Sequence, residues 1–167
     1  MMILITGGAR SGKSSFAEKL AARFDDVTYI ATAQAFDDEM RTRIERHRAR
    51  RPAHWKTIES PFDAHREIEN LRADCILFDC LTVYLSNFLC RENNSESIDE
   101  YSQLLLDSAR NFRGTSIFVT NEVGSGIVPI NPLAREFRDR QGLINQQFAA
   151  AADEVYLCAC GLPLRLK

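Results

Sequence analysis

Residues 7–14 read Gly7, Gly8, Ala9, Arg10, Ser11, Gly12, Lys13 and Ser14, which fits the phosphate-loop pattern G-x-x-x-x-G-K-[ST]. The glycines let successive backbone N–H groups turn inward on phosphate oxygens. Lys13 then extends to the β- and γ-phosphates, and the Ser14 hydroxyl is a ligand for Mg²⁺. A second chemical feature is Cys75-Ile76-Leu77-Phe78-Asp79, an apolar run ending in an acid. Beside a phosphate loop, such an acid meets Mg²⁺ or its water shell; the alternative role for Asp79 is to cap the following helix. The third is His47, set among Arg41, Arg43, Arg46, Arg48, Arg50 and Arg51. Helical spacing brings Arg43, His47, Arg50 and Arg51 onto neighbouring positions. From spacing alone, the default is a solvated basic helix. The functional alternative is a polyphosphate site with His47 as base or nucleophile, the nearby cations keeping the ring neutral. Glu59 is either a ribose-hydroxyl acceptor or a surface acid, and Trp55 either a base-stacking residue or core.

These groups need elements to position them. Met2–Thr6 is short and apolar and predicts a buried strand leading into the loop. Phe16, Ala17, Leu20, Ala21 and Phe24 have helical spacing after it. Val27–Ala31 predicts a second strand, with Thr32, Ala33 and Gln34 at its carboxyl end, the edge that faces ligand in open parallel sheets. Asp37 to about Arg51 predicts the helix carrying His47, with acids in the first turn and Pro52 as the stop. Pro61–Arg72 is a polar helical stretch on which His65 is expected to be exposed. Val83–Leu89 predicts an apolar helix, Arg91–Ser97 a polar loop, and Ile98–Phe112 a helix stopped by Gly114. Ser116–Thr120 predicts a buried strand running into Asn121-Glu122-Val123-Gly124-Ser125-Gly126, either a substrate loop or an ordinary turn. A long helix from Pro132, a strand at Val155–Cys160 and a short final hairpin strand complete the chain. Strands alternate with helices and no linker or repeat interrupts them. The expectation is one domain over residues 1–167, an α/β phosphate-loop fold whose mainly parallel sheet carries helices on both faces.

Composition narrows the class. The chain is 45% hydrophobic and 26% charged with a net charge of −2, so no overall field favours nucleic acid or a membrane surface. No apolar run reaches membrane-spanning length, and the N-terminal apolar stretch runs straight into the phosphate loop, which points to a cytoplasmic protein. Cys75, Cys80, Cys90, Cys158 and Cys160 are odd in number and contain no C-x-x-C pair, against a disulfide framework or a zinc site.

Several segments occur in an order that resembles a known family. They are the loop at 7–14, Tyr29-Ile30-Ala31-Thr32-Ala33, Asp37-Asp38-Glu39-Met40, Arg43-Ile44 with His47, and Trp55-Lys56-Thr57-Ile58-Glu59. Thr120-Asn121-Glu122-Val123-Gly124, Gly126-Ile127-Val128-Pro129 and Ala150-Ala151-Ala152-Asp153-Glu154-Val155 follow. Nearly the whole chain is similar to the bifunctional adenosylcobinamide kinase / adenosylcobinamide-phosphate guanylyltransferase family of cobalamin biosynthesis. The resemblance implies phosphorylation of the adenosylcobinamide hydroxyl by ATP or GTP. GMP then passes from GTP to that phosphate, giving adenosyl-GDP-cobinamide. It implies that His47 carries GMP covalently, with Lys13 as the other catalytic residue. The implied nucleotide contacts are Gly7–Ser14, Gln34, Ala35, Phe36, Arg48, Ala49, Arg50, Arg51, Glu59 and Asp79, with Mg²⁺ at Ser14 and Asp79. It also implies a homotrimer whose partners are adenosylcobinamide, its phosphate and the nucleotides, with no nucleic acid. The chain departs from some members in having Arg46 before His47 and compact stretches around 63–74 and 91–97. The alternatives are another small-molecule kinase on the same fold and a non-enzymatic GTP-binding switch.

Overall fold

The computed structural model describes residues 1–89 and 95–167; the side chains of Arg43 and of residues 95–97 stand outside that description. Cys90 and the part of the expected polar loop at 91–94 lie outside the described residues, as does the Arg43 side chain of the basic cluster. The elements run β1 (Met2–Gly7), α1 (Lys13–Ala21), β2 (Val27–Ala31), α2 (Asp38–Arg50), β3 (Lys56–Glu59), α3 (Ala64–Asn70) and β4 (Cys75–Asp79). Then come α4 (Leu81–Leu89), α5 (Ser95–Asn111), β5 (Thr115–Val119), α6 (Pro132–Ala151), β6 (Glu154–Ala159) and β7 (Leu162–Arg165).

The seven strands form one sheet in the order β3-β2-β4-β5-β1-β6-β7. All neighbours are parallel except β6 and β7, which form the expected terminal hairpin. The period-2 alternation of strand side chains divides the core in two. Leu4, Phe78 and Phe118 pack with Ile68 of α3, Tyr84 and Phe88 of α4, Leu105 of α5 and Phe148 of α6. Their strand neighbours Ile5, Leu77, Ile117 and Val119 point the other way, onto Ala17, Leu20 and Ala21 of α1. Helices therefore cover both faces, and Trp55 belongs to the α1-side core.

The His65 expectation is corrected. His65 is 5% exposed and its ring centre lies 5.7 Å from that of Tyr101. Its helix spans only Ala64–Asn70 and presses this face against α5, so polar neighbours in sequence did not mean solvent.

Helix α2 differs from the rest. None of its described residues belongs to either core cluster. Asp37 caps it by accepting from the Met40 N–H at 2.7 Å. Farther along, Arg48 pairs with Glu59 at 2.6 Å and Arg50 with Glu18 at 3.0 Å. Polar contacts hold α2 across the carboxyl edge of the sheet, where the candidate residues gather.

Candidate active site

Strand β1 delivers the phosphate loop to the point where the sheet order reverses, with β5 on one side and β6 on the other. Gly12 stands at φ +93° as the residue before α1, and a Cβ there would lie 2.8 Å from the Gly161 Cα. Gly161, in the β6–β7 turn, also donates its N–H to the Ser11 carbonyl at 2.9 Å. The hairpin therefore braces the loop from behind. Lys13 is 8% exposed and its Nζ donates to the Gly8 carbonyl at 3.0 Å. The Oγ atoms of Thr6 and Ser11 are buried with no hydrogen-bond partner among the described residues. The Ser11 hydroxyl, buried without a protein partner in the loop that opens α1, suits an anionic ligand.

Two cavities flank α2 and share Lys13, Ser14 and His47. The smaller, about 390 Å³, brings together Gln34, Ala35, Arg48, Arg51, Glu59 and Asp79 with these three. The larger, about 930 Å³, runs along Ala9, Arg10, Ser11 and Gly12 and is closed by Arg46 and Arg50. Another cavity, about 740 Å³, opens at the opposite end of the strands around Asp26, Asp74 and Arg113, away from every candidate residue.

At the centre of the smaller cavity the Tyr29 hydroxyl donates to Asp79 Oδ2 at 2.8 Å. His47 Nδ1 lies 3.8 Å from the same oxygen, an ion-pair separation rather than a hydrogen bond. The Arg51 guanidinium sits 3.4 Å above the Tyr29 ring. Burial, and then the Asp79 charge, push the Tyr29 phenol far above its ordinary pKa, so it remains a donor to that carboxylate. At the cavity's far side, Asn121 N–H donates to Thr82 Oγ1 at 2.7 Å, and Asn145 Nδ2 donates to the Asn121 carbonyl at 3.1 Å. Next to it, Glu122 accepts from the N–H groups of Gly124 and Ser125 at 2.6 and 3.2 Å. Its pKa is lowered, chiefly by hydrogen bonding from Ser125, so the loop after β5 is a built turn around a charged acid.

Four expected nucleotide contacts line neither cavity. Gly7 and Gly8 frame the loop, Phe36 is 72% exposed, and Ala49 lies on the exposed side of α2. Sequence reasoning missed Tyr29, Met40, Ile44 and Val83, which supply the apolar wall of the smaller cavity, and Arg46 on the larger. A tyrosine in a buried strand reads as core, and one arginine among six carries no distinguishing signal.

No group of three or more His, Cys, Asp or Glu among the described residues forms a metal cage. Ser14 and Asp79 nevertheless line the same cavity. A cation that takes one or two protein oxygens and completes its shell from phosphates and water needs no more. The donor set fits Mg²⁺ arriving with a nucleotide.

The family model described as cobinamide kinase / cobinamide phosphate guanyltransferase matches residues 3–166. The chain is 44% identical over 185 aligned residues to the bifunctional adenosylcobalamin biosynthesis protein CobU of Salmonella typhimurium, covering all of both chains. It is 42% identical to the protein of the same name from Escherichia coli, again over both full lengths. It is 45% identical to the bifunctional adenosylcobalamin biosynthesis protein CobP of Pseudomonas aeruginosa, over all of this chain and 98% of that one. Among solved structures, the RadB recombinase superposes with a TM-score of 0.53 at 18% identity, over 93% of this chain and 73% of that one. A KaiC-like protein from Pyrococcus horikoshii gives 0.51 at 15%, over 93% and 69%. These two likenesses concern the fold alone.

Proposed function

The chain belongs to the cobinamide kinase / cobinamide phosphate guanyltransferase family, and on that premise we propose that it carries out both reactions of its relatives' kind at one phosphate loop. In the first, ATP or GTP phosphorylates the hydroxyl of adenosylcobinamide. In the second, GTP guanylylates that phosphate through His47. The observation that carries this reading is the position of His47 beside Lys13 and Ser14, on the wall common to both cavities.

The loop N–H groups and Lys13 hold the polyphosphate and stabilise charge as the γ-phosphoryl group moves; positioning and charge stabilisation are most of what that chemistry needs. For guanylyl transfer, His47 Nδ1 faces Asp79, which leaves Nε2 as the attacking atom. The Nε2 lone pair forms a P–N bond at the α-phosphorus as the bond to pyrophosphate breaks. The Nδ1 hydrogen stays where it is, and the cationic ring is balanced by the Asp79 carboxylate. Tyr29 holds that carboxylate in place. Mg²⁺, with Ser14 and Asp79 as its protein ligands, supplies charge neutralisation on the phosphates when bound. Splitting one displacement into two gives each step a good leaving group. Gln34, Arg48, Arg51 and Glu59 line the nucleoside side of the site. The active assembly is a homotrimer, a reading supported by the exposed apolar run of Ile127, Val128 and Ile130, which a second chain would cover.

The test is turnover of adenosylcobinamide with GTP, following phosphorylated and GDP-linked products separately. Both should form in sequence. A chain that makes the phosphate but never the GDP-linked product is a kinase alone, and the two-reaction proposal fails.

A further inference from the structure

We propose that the larger cavity is the seat of the phosphorylated acceptor in the second reaction, with Arg10 and Arg46 as ligands for its phosphate. This rests on the reading of His47 given above. Displacement at phosphorus is in line, so pyrophosphate leaves from the side of the α-phosphorus opposite His47. In the second displacement an oxygen of the acceptor phosphate forms the new P–O bond while the P–N bond breaks. The P–N electron pair returns to the His47 nitrogen, the other ring nitrogen keeps its hydrogen, and no proton has to move. The entering oxygen must come from the side that pyrophosphate vacated, which is the phosphate loop.

The two cavities are not equivalent routes to that place. The smaller touches the loop only at Lys13 and Ser14. The larger follows it from Ala9 to Ser15 and still reaches His47. An acceptor arriving through the larger cavity meets the loop without displacing the nucleoside.

The charges agree with this route. On the smaller cavity Arg48 is paired with Glu59, and Arg51 covers the Tyr29 ring. On the larger, Arg50 is paired with Glu18. That leaves Arg10 on the loop and Arg46 on α2, which have no acid within ion-pair distance among the described residues. Ser11, 8% exposed, lines the same wall with its Oγ buried and without a hydrogen-bond partner. Glu39, the acid on that wall, lies about two turns from Arg46 along α2. Two guanidinium groups on one cavity wall beside the phosphate loop suit a phosphate, since each fork can take two oxygens.

The experiment separates the half-reactions. The protein is guanylylated with α-labelled GTP, freed of pyrophosphate, and mixed with increasing adenosylcobinamide phosphate while label leaves the protein. Arg46→Ala should still reach full adduct at saturating GTP, so the second half-reaction can be read by itself. It should need about tenfold more acceptor for half-maximal transfer, the usual scale for a lost charged hydrogen bond. Arg46→Lys should recover part of the loss, and pyrophosphate added to the parent adduct should send label back to GTP at the expense of the GDP-linked product. Unchanged acceptor dependence in both Arg46→Ala and Arg46→Gln, with normal adduct, overturns the proposed seat. Absence of adduct from the parent overturns the His47 reading instead.

Discussion

At the residue scale the site is a convergence of three groups, Lys13, Ser14 and His47, on the boundary between two cavities. Because Lys13 borders both, removing it should damage both reactions. Lys13→Ala is expected to lower each rate by about 10²–10³, the usual cost of losing one electrostatic contact to a reacting phosphate or oxyanion. Parallel assays of phosphorylation and guanylylation check this, and a loss confined to one reaction would contradict the shared-loop account. The groups legible in the sequence were those whose spacing is itself chemical. Lys13 and Ser14 end a contiguous loop pattern, and Asp79 ends an apolar strand. His47 was visible as one member of a basic helix, and only the family resemblance favoured it over a solvated face. Tyr29 was not legible, because its role depends on a 2.8 Å contact with Asp79, fifty residues away. His65 was misread for the same reason: its burial is decided by α5, not by its neighbours in sequence.

At the element scale, short apolar runs announced the strands and helical periodicity the main helices, with boundaries close to those observed. What periodicity could not supply was which element supports which. The phosphate loop depends on the turn between β6 and β7, about 150 residues away, through the approach of Gly161 to Gly12 and Ser11. Gly12→Ala should therefore fail twice. The left-handed φ of +93° costs a residue with a Cβ about 1–2 kcal/mol, and the new Cβ would stand 2.8 Å from the Gly161 Cα. Titration with GTP should show binding weakened by at least tenfold with the far-UV spectrum retained. Parent-like affinity would mean that the loop does not need this geometry.

At the scale of the whole molecule, alternation of strands and helices was enough to expect a mainly parallel sheet covered on both faces. The order β3-β2-β4-β5-β1-β6-β7 was not readable, because equally apolar strands carry no label for their neighbours. Strand β4 makes a separate prediction about pH. Burial pushes the Cys75 thiol from 9.0 up to about 12. A raised folded-state pKa contributes stability that is complete below pH 9 and is lost as pH rises toward 12. Between pH 8 and pH 10 the parent should lose about 1.4 kcal/mol more than Cys75→Val, one pH unit of one buried thiol. Urea denaturation at the two pH values checks it, and equal losses in both proteins would contradict the assigned cause.

Covalent guanylylation of His47, proposed above, is checked by peptide mapping after reaction with α-labelled GTP. The chain has three histidines, so the labelled peptide distinguishes His47 from His54 and His65. One acid-labile label is expected, on the peptide containing His47, and none on a folded His47→Ala protein that still binds GTP. Undiminished label on His47→Ala, or label on another residue of the parent, would contradict it.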